Sequence, residues 1–179
     1  SGMTSSCNRH RQVRDGLLVK GLSTVHIAVI TLSALTAAQP FRPVVVVGSS
    51  MRPTLSDRQM TLVDARAYSD EPVCAGDVVV FRWRGKAYVK RVAAVGGARV
   101  PLARLDGDFT LVPRLGELAW MRRYAVRHPE RLRLAYTRVP RGTVYVLGDN
   151  QTASIDSRHF GPVPIAAIVG RVLATRDVV

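Results

Sequence analysis

From Pro43 onward, short runs of β-branched and aromatic residues alternate with Asp, Gly and Pro. Val44–Val47, Met60–Val63, Asp77–Arg82, Lys86–Val95, Phe109–Val112 and Thr143–Leu147 read as strands bounded by turn residues. Arg84-Gly85 falls between two of them as a hairpin turn. The order predicts a mainly β fold, with antiparallel sheets closing into a barrel or folded sandwich. A helical period starts at Leu115 and runs through Leu118, Ala119, Met121 and Arg122 until Pro129 stops it. It lies in a segment, about 101–140, that reads as a cap inserted into a β-domain spanning 40–179. Ile165–Ala174 returns to an apolar run.

The pattern before Pro40 is different. Residues 1–21 are polar and basic, with Arg9, Arg11, Arg14 and Lys20. Leu22–Ala38 carries no formal charge, and 22–39 has close to the length of a membrane-spanning helix. The basic residues ahead of it, against Arg42 alone just after it, place the N-terminus in the cytoplasm and the β-domain outside as a single-pass protein of the cell membrane. A cleaved secretory leader ending at Ala-Ala-Gln is a second reading. A buried amphipathic helix is a third, since His26 and several hydroxyls interrupt the run.

Charge adds a partner class. The chain has 26 basic and 13 acidic residues, a net +13 that favours an anionic surface or an acidic protein. Arg114–Arg141 holds eight arginines against Glu117 and Glu130, so it is either a solvated insertion or a surface for anionic headgroups or an acidic partner. No nucleic-acid motif appears, and no nucleic-acid partner is expected. Cys7 and Cys74 form no C-x-x-C pair, and the four histidines are scattered, so no metal site is expected and no cofactor is implied. If 22–39 spans a membrane, the two cysteines lie on opposite sides and stay unpaired.

The candidate chemistry sits in Gly48-Ser49-Ser50-Met51-Arg52-Pro53-Thr54-Leu55, directly after a strand-like run. Gly48 permits close backbone approach, and Pro53 stiffens the chain after Ser50. A serine there becomes a nucleophile if a base lies beside it. Two bases are available. His159 stands near Asp156, and Lys90 lies inside Tyr88-Val89-Lys90-Arg91-Val92. Strand alternation puts Lys90 on the face of Tyr88 and Val92, with Arg91 pointing the other way. Desolvation on such a face favours the neutral amine, which can act as a general base. A strand lysine snorkelling to the rim of a barrel is the plainer alternative.

Three separated motifs resemble those of the type I signal peptidase family, Ser-Lys serine peptidases, in the bacterial and organellar branch. Ser50-Met51-x-Pro53-Thr54-Leu55 is similar to the nucleophile box and Tyr88-Val89-Lys90-Arg91-Val92 to the base box. Gly148-Asp149-Asn150-x-x-x-Ser154-x-Asp156-Ser157-Arg158-x-x-Gly161 is similar to the third box. The resemblance implies Ser50 as nucleophile and its backbone N–H as an oxyanion donor, with Lys90 as base. It also implies that Ser154 hydrogen-bonds the amine, and that Asp149, Asp156 and Arg158 form a scaffold with which Arg91 pairs. Gly48 stands where many members have a serine whose hydroxyl is a second oxyanion donor. Gly48, Met51 and Pro53 thus belong to the surroundings of the site, and His159 becomes a bystander.

The implied activity is removal of signal peptides from exported preproteins by a membrane-anchored endopeptidase, with preproteins and the lipid bilayer as partners. Its substrates would be extended, with small residues at the first and third positions before the cut. Phe41, Met51, Trp83 and Trp120 are apolar residues that could dip into the bilayer. A dedicated maturation protease for one partner protein keeps the same chemistry. A basic lipid- or protein-binding module with a degenerate protease site does not.

Overall fold

The computed structural model describes residues 40–106, 109–113 and 116–173. These belong to one unit, Pro40–Val179. The basic segment 1–21 and the expected anchor 22–39 lie outside the described residues. No helix among the described residues is long and apolar enough to cross a membrane.

Among the described residues, ten strands and two α-helices form. They are β1 Phe41–Val45, β2 Met60–Asp64, β3 Val78–Trp83, β4 Lys86–Val95, β5 Arg99–Leu105, β6 Phe109–Leu111, α1 Glu117–Arg127, β7 Leu132–Arg138, β8 Thr143–Leu147, α2 Ser157–Phe160, β9 Val163–Pro164 and β10 Ile168–Val172. Every pairing is antiparallel. Seven strands make the main sheet in the order β1-β2-β10-β3-β4-β8-β9, and β6-β5-β7 make a second.

The main sheet does not close among the described residues, which corrects the expected barrel. Its outer strands are β1 and β9. Each contains a proline, Pro43 and Pro164. A residue without an N–H suits an edge, where one side of the ladder goes unused. β1 also starts three residues earlier than the Val44–Val47 reading, because Val46 and Val47 already lead into the turn at Gly48.

Alternation along β3 and β4 sends successive side chains into two cores. Val79, Phe81, Val92, Val144 and Val146 build one, with Tyr88 and Phe160 packed against it. Val46, Met51, Leu55 and Val63 build the other, with Val78, Val80 and Val89 alongside. The first core therefore holds the side of β4 that carries Lys90, and the second anchors the loop that carries Ser50.

The region read as an interrupting insertion is partly sheet. β5 pairs with β7 from Arg99↔Arg138 to Leu105↔Leu132. Ala103, Met121 and Leu132 form a small core beneath α1. Of the apolar residues expected near a bilayer, Met51 is fully buried and Trp83 packs against Phe160. Met51 therefore cannot reach lipid, whereas Trp83 is partly exposed and Phe41 and Trp120 are about half exposed. Cys7 lies outside the described residues, and with it the expectation that the two cysteines stay unpaired.

Candidate active site

Ser50 sits at the start of a tight run of turns after β1. Arg52 N–H donates to Ser49 O and Leu55 N–H to Met51 O, at 3.2 and 2.9 Å. Gly48 precedes it with φ +93°, a left-handed conformation that glycine adopts without strain. The Gly48 N–H donates to Asp57 Oδ1 at 2.7 Å. Met51 and Leu55 point into the core beneath and fasten the loop.

Lys90 lies mid-way along β4, opposite Val79 of β3. Its side chain is 4% exposed, and its Nζ is 2.7 Å from Ser50 Oγ. Burial pushes the amine down from the usual lysine range, while Asp156 and then Asp149 pull it back up. Desolvation is the larger effect. A neutral amine at this separation can take the proton of the hydroxyl. Among the described residues the Ser50 N–H donates to no protein acceptor, so it remains available to a developing oxyanion.

The segment after β8 closes over the pair. Asn150 N–H donates to the Ser50 carbonyl at 3.0 Å, and its side chain reaches Ser49 O at 3.5 Å. Asp156 is completely buried. It accepts from Gly148 N–H at 3.0 Å and from Arg158 Nε and Nη2 at 2.8 and 2.9 Å. Burial alone would raise the Asp156 carboxyl, but Arg158, Gly148 N–H and neighbouring groups together hold it below the usual carboxylate range. Arg158 also donates to the carbonyls of Thr110, Gln151 and Ser154, at 2.8, 2.6 and 3.2 Å, tying β6 to the loop.

Arg91, on the other side of β4, makes a two-pronged pair with Asp149 at 2.8 and 2.7 Å. It adds bonds to Gly76 O and Thr54 Oγ1. The hydrogen bond to Asp149 raises its proton affinity above the ordinary arginine value, against the effect of burial. A cavity of about 380 Å³ opens beside this ion pair, against Pro53, Thr54, Leu147 and Gly148, and neither Ser50 nor Lys90 lines it.

Ser50, Lys90, Arg91, Asp149, Asp156 and Arg158 thus converge. Ser154 does so only in part. Its hydroxyl is buried but makes no hydrogen bond of ordinary geometry, to Lys90 or to anything else described. It presses on Gly148 instead: a Cβ built there would stand 2.3 Å from Ser154 Oγ and 2.6 Å from Ser50 O. His159 takes no part in the pair. It caps α2, with Nδ1 accepting the Asp156 N–H at 3.3 Å.

Two features escaped the reading of the sequence. The tight fit at Gly148 had a signal, since a glycine closing a strand marks close backbone approach. Asp57 had none, because nothing local distinguishes a surface carboxylate that turns back nine residues to an N–H.

The family model described as signal peptidase, peptidase S26, matches residues 18–175. The chain belongs to this family. The peptidase is 34% identical to the signal peptidase I of Bacillus caldolyticus over 159 residues, covering 74% of this chain and 77% of that one. It is 31% identical to signal peptidase IB of Staphylococcus aureus, covering 73% and 74%. It is also 31% identical to mitochondrial inner membrane protease subunit 1 of Xenopus tropicalis, covering 72% and 65%. It is accordingly a serine endopeptidase of the signal peptidase I kind.

Proposed function

We propose that this peptidase removes signal peptides from exported preproteins with Ser50 as nucleophile and Lys90 as general base. The observation that carries the reading is the buried amine 2.7 Å from the hydroxyl, its charge disfavoured by desolvation. Lys90 takes the Ser50 proton as Oγ attacks the scissile carbonyl, and returns it to the leaving amine when the acyl-enzyme forms. The Ser50 N–H stabilises the oxyanion. The Gly48 N–H is committed to Asp57, so it does not serve as a second donor in this arrangement.

Ser154 supports the site by filling the space behind Gly148. Asp149, Asp156, Arg91 and Arg158 hold the closing loop. The outer edge of β1 is unpaired among the described residues and leads within five residues to Ser50, which supports recognition of an extended substrate by strand addition. Residues 22–39 anchor the enzyme with its N-terminus in the cytoplasm and the β-domain outside, next to its preprotein substrates.

The test is incubation of the full chain with a preprotein, wild type beside Ser50→Ala and Lys90→Ala. Cleavage at one site by wild type alone is expected. Equal cleavage by either variant would remove that residue from the mechanism.

A further inference from the structure

The helix α1 presents a face that the fold does not use. Met121 is its buried residue, with Ala125 partly covered beside it in the small core. Trp120, Arg123, Tyr124 and Arg127 follow an i, i+3, i+4, i+7 spacing, so they form one stripe turned away from that core. Trp120 is 48% exposed and meets Tyr124 edge-on at 6.4 Å, and Tyr124 lies tilted against His128 at 4.5 Å. Together they line a shallow groove of about 280 Å³.

Neighbouring Arg122 is engaged with the Tyr136 hydroxyl. Arg123 and Arg127 make no ion pair or hydrogen bond among the described residues. No acidic residue occurs between Glu117 and Glu130, and Glu130 faces His128 at 3.7 Å. Exposed aromatic rings with a polar edge, interleaved with unpaired guanidinium groups, match the boundary between lipid headgroups and acyl chains. Guanidinium groups also fit phosphate oxygens in two-pronged fashion.

We propose that this face of α1 docks on anionic lipid headgroups, with Arg123 and Arg127 on the phosphates and Trp120 and Tyr124 at the level of the glycerol backbone. The surface is separate from the Ser50–Lys90 pair and belongs to the second sheet and its helix. It would fix the orientation of the domain at the bilayer.

Trp120 reports on it directly, because Trp83 is the one other tryptophan. The full chain carrying Trp83→Phe is reconstituted in phosphatidylcholine vesicles with brominated acyl chains, with and without phosphatidylglycerol. Trp120 fluorescence is expected to be quenched and blue-shifted when phosphatidylglycerol is present, and to recover at high salt. Each arginine near an anionic surface is worth about fivefold, so Arg123→Gln with Arg127→Gln should lower the docked-to-free ratio about 30-fold. Cleavage of a short soluble peptide by the same double variant stays at the wild-type rate, which shows that it folds. Quenching that is equal without phosphatidylglycerol, or unchanged in the double variant, overturns the proposal. So does a Trp120 that stays in water on anionic vesicles and becomes shielded only by added polyglutamate, which would assign the face to an acidic protein partner.

Discussion

Gly148→Ala is the most direct test of how the closing loop fixes the proposed nucleophile. The added methyl would stand 2.3 and 2.5 Å from Ser154 Oγ and Cβ, and 2.6 Å from the Ser50 carbonyl oxygen. Ordinary carbon contacts lie near 3.5 Å, so one or both neighbours must retreat by about 1 Å. Overpacking of this kind costs about 1–3 kcal/mol. That corresponds to a fall in Tm of roughly 3–10 °C for a domain of this size. The larger effect is on rate, because the neighbour on one side is the backbone of Ser50 itself, and a misplacement of about 1 Å at a reacting group costs about 10²-fold. Cleavage of a signal peptide substrate should show this loss in kcat. Thermal unfolding gives the stability term separately. Adding Ser154→Gly removes the first two contacts and leaves the third, so the double variant should recover Tm more than kcat. A Gly148→Ala enzyme with kcat within about twofold of wild type would refute the reasoning, since a contact that tight would have yielded without moving Ser50.

The other expectations follow from the charges around the pair. Activity should rise with pH as Lys90 loses its proton, with a midpoint below the free-lysine value of 10.5. Asp149→Asn removes a negative charge that raises the amine, so the rise should move to lower pH; Arg91→Gln leaves that charge unneutralised and should move it to higher pH. Rate profiles of the two variants are the check, and shifts of the same sign would count against the scheme. Lys90→Met should lower kcat by at least about 10²–10⁴-fold while leaving the fold intact. Because the folded amine binds its proton less tightly than the unfolded one, wild-type stability should climb with pH from that depressed value up to 10.5, and denaturant titrations of Lys90→Met should lack the climb. Arg158→Ala strands a buried carboxylate whose partner is 2.8 Å away, and urea unfolding should show a loss of about 3–5 kcal/mol at neutral pH.

Much of the fold was readable where burial on both faces left one solution. β4 and β8 begin and end where the apolar runs do, at Lys86–Val95 and Thr143–Leu147, because both lie in the middle of the packing. β5 and β7 were not readable. Pro101 interrupts β5, and β7 reads Leu-Arg-Leu-Ala-Tyr-Thr-Arg, with its exposed arginines hidden in an arginine-rich stretch. Their pairing with each other supplies what neither sequence shows alone. In the site, motif spacing was enough to name the residues that meet. It could not supply a side-chain rotamer, such as that of Ser154, or a bond from a distant carboxylate, such as that of Asp57 to the Gly48 N–H.

The two ion pairs make sense once the state of the amine is considered. On the proposed mechanism the Lys90 amine must be neutral to act, and it is badly placed beside Asp149 and Asp156, since both carboxylates favour its charged form. Burial has to outweigh them. It does so in a site where each carboxylate already has its own arginine, Arg91 on Asp149 and Arg158 on Asp156. Pairing turns each isolated negative charge into a near-neutral unit, whose field at Nζ is much weaker than that of a bare carboxylate. The same pairing fixes the backbone. Asp156 receives the Gly148 N–H, and the segment that begins with Asp149 carries the Asn150 N–H onto the Ser50 carbonyl. The aspartates can therefore organise the loop around Ser50 without holding a proton on Lys90. Replacing either arginine separates these two roles, keeping the carboxylate while restoring its pull on the amine.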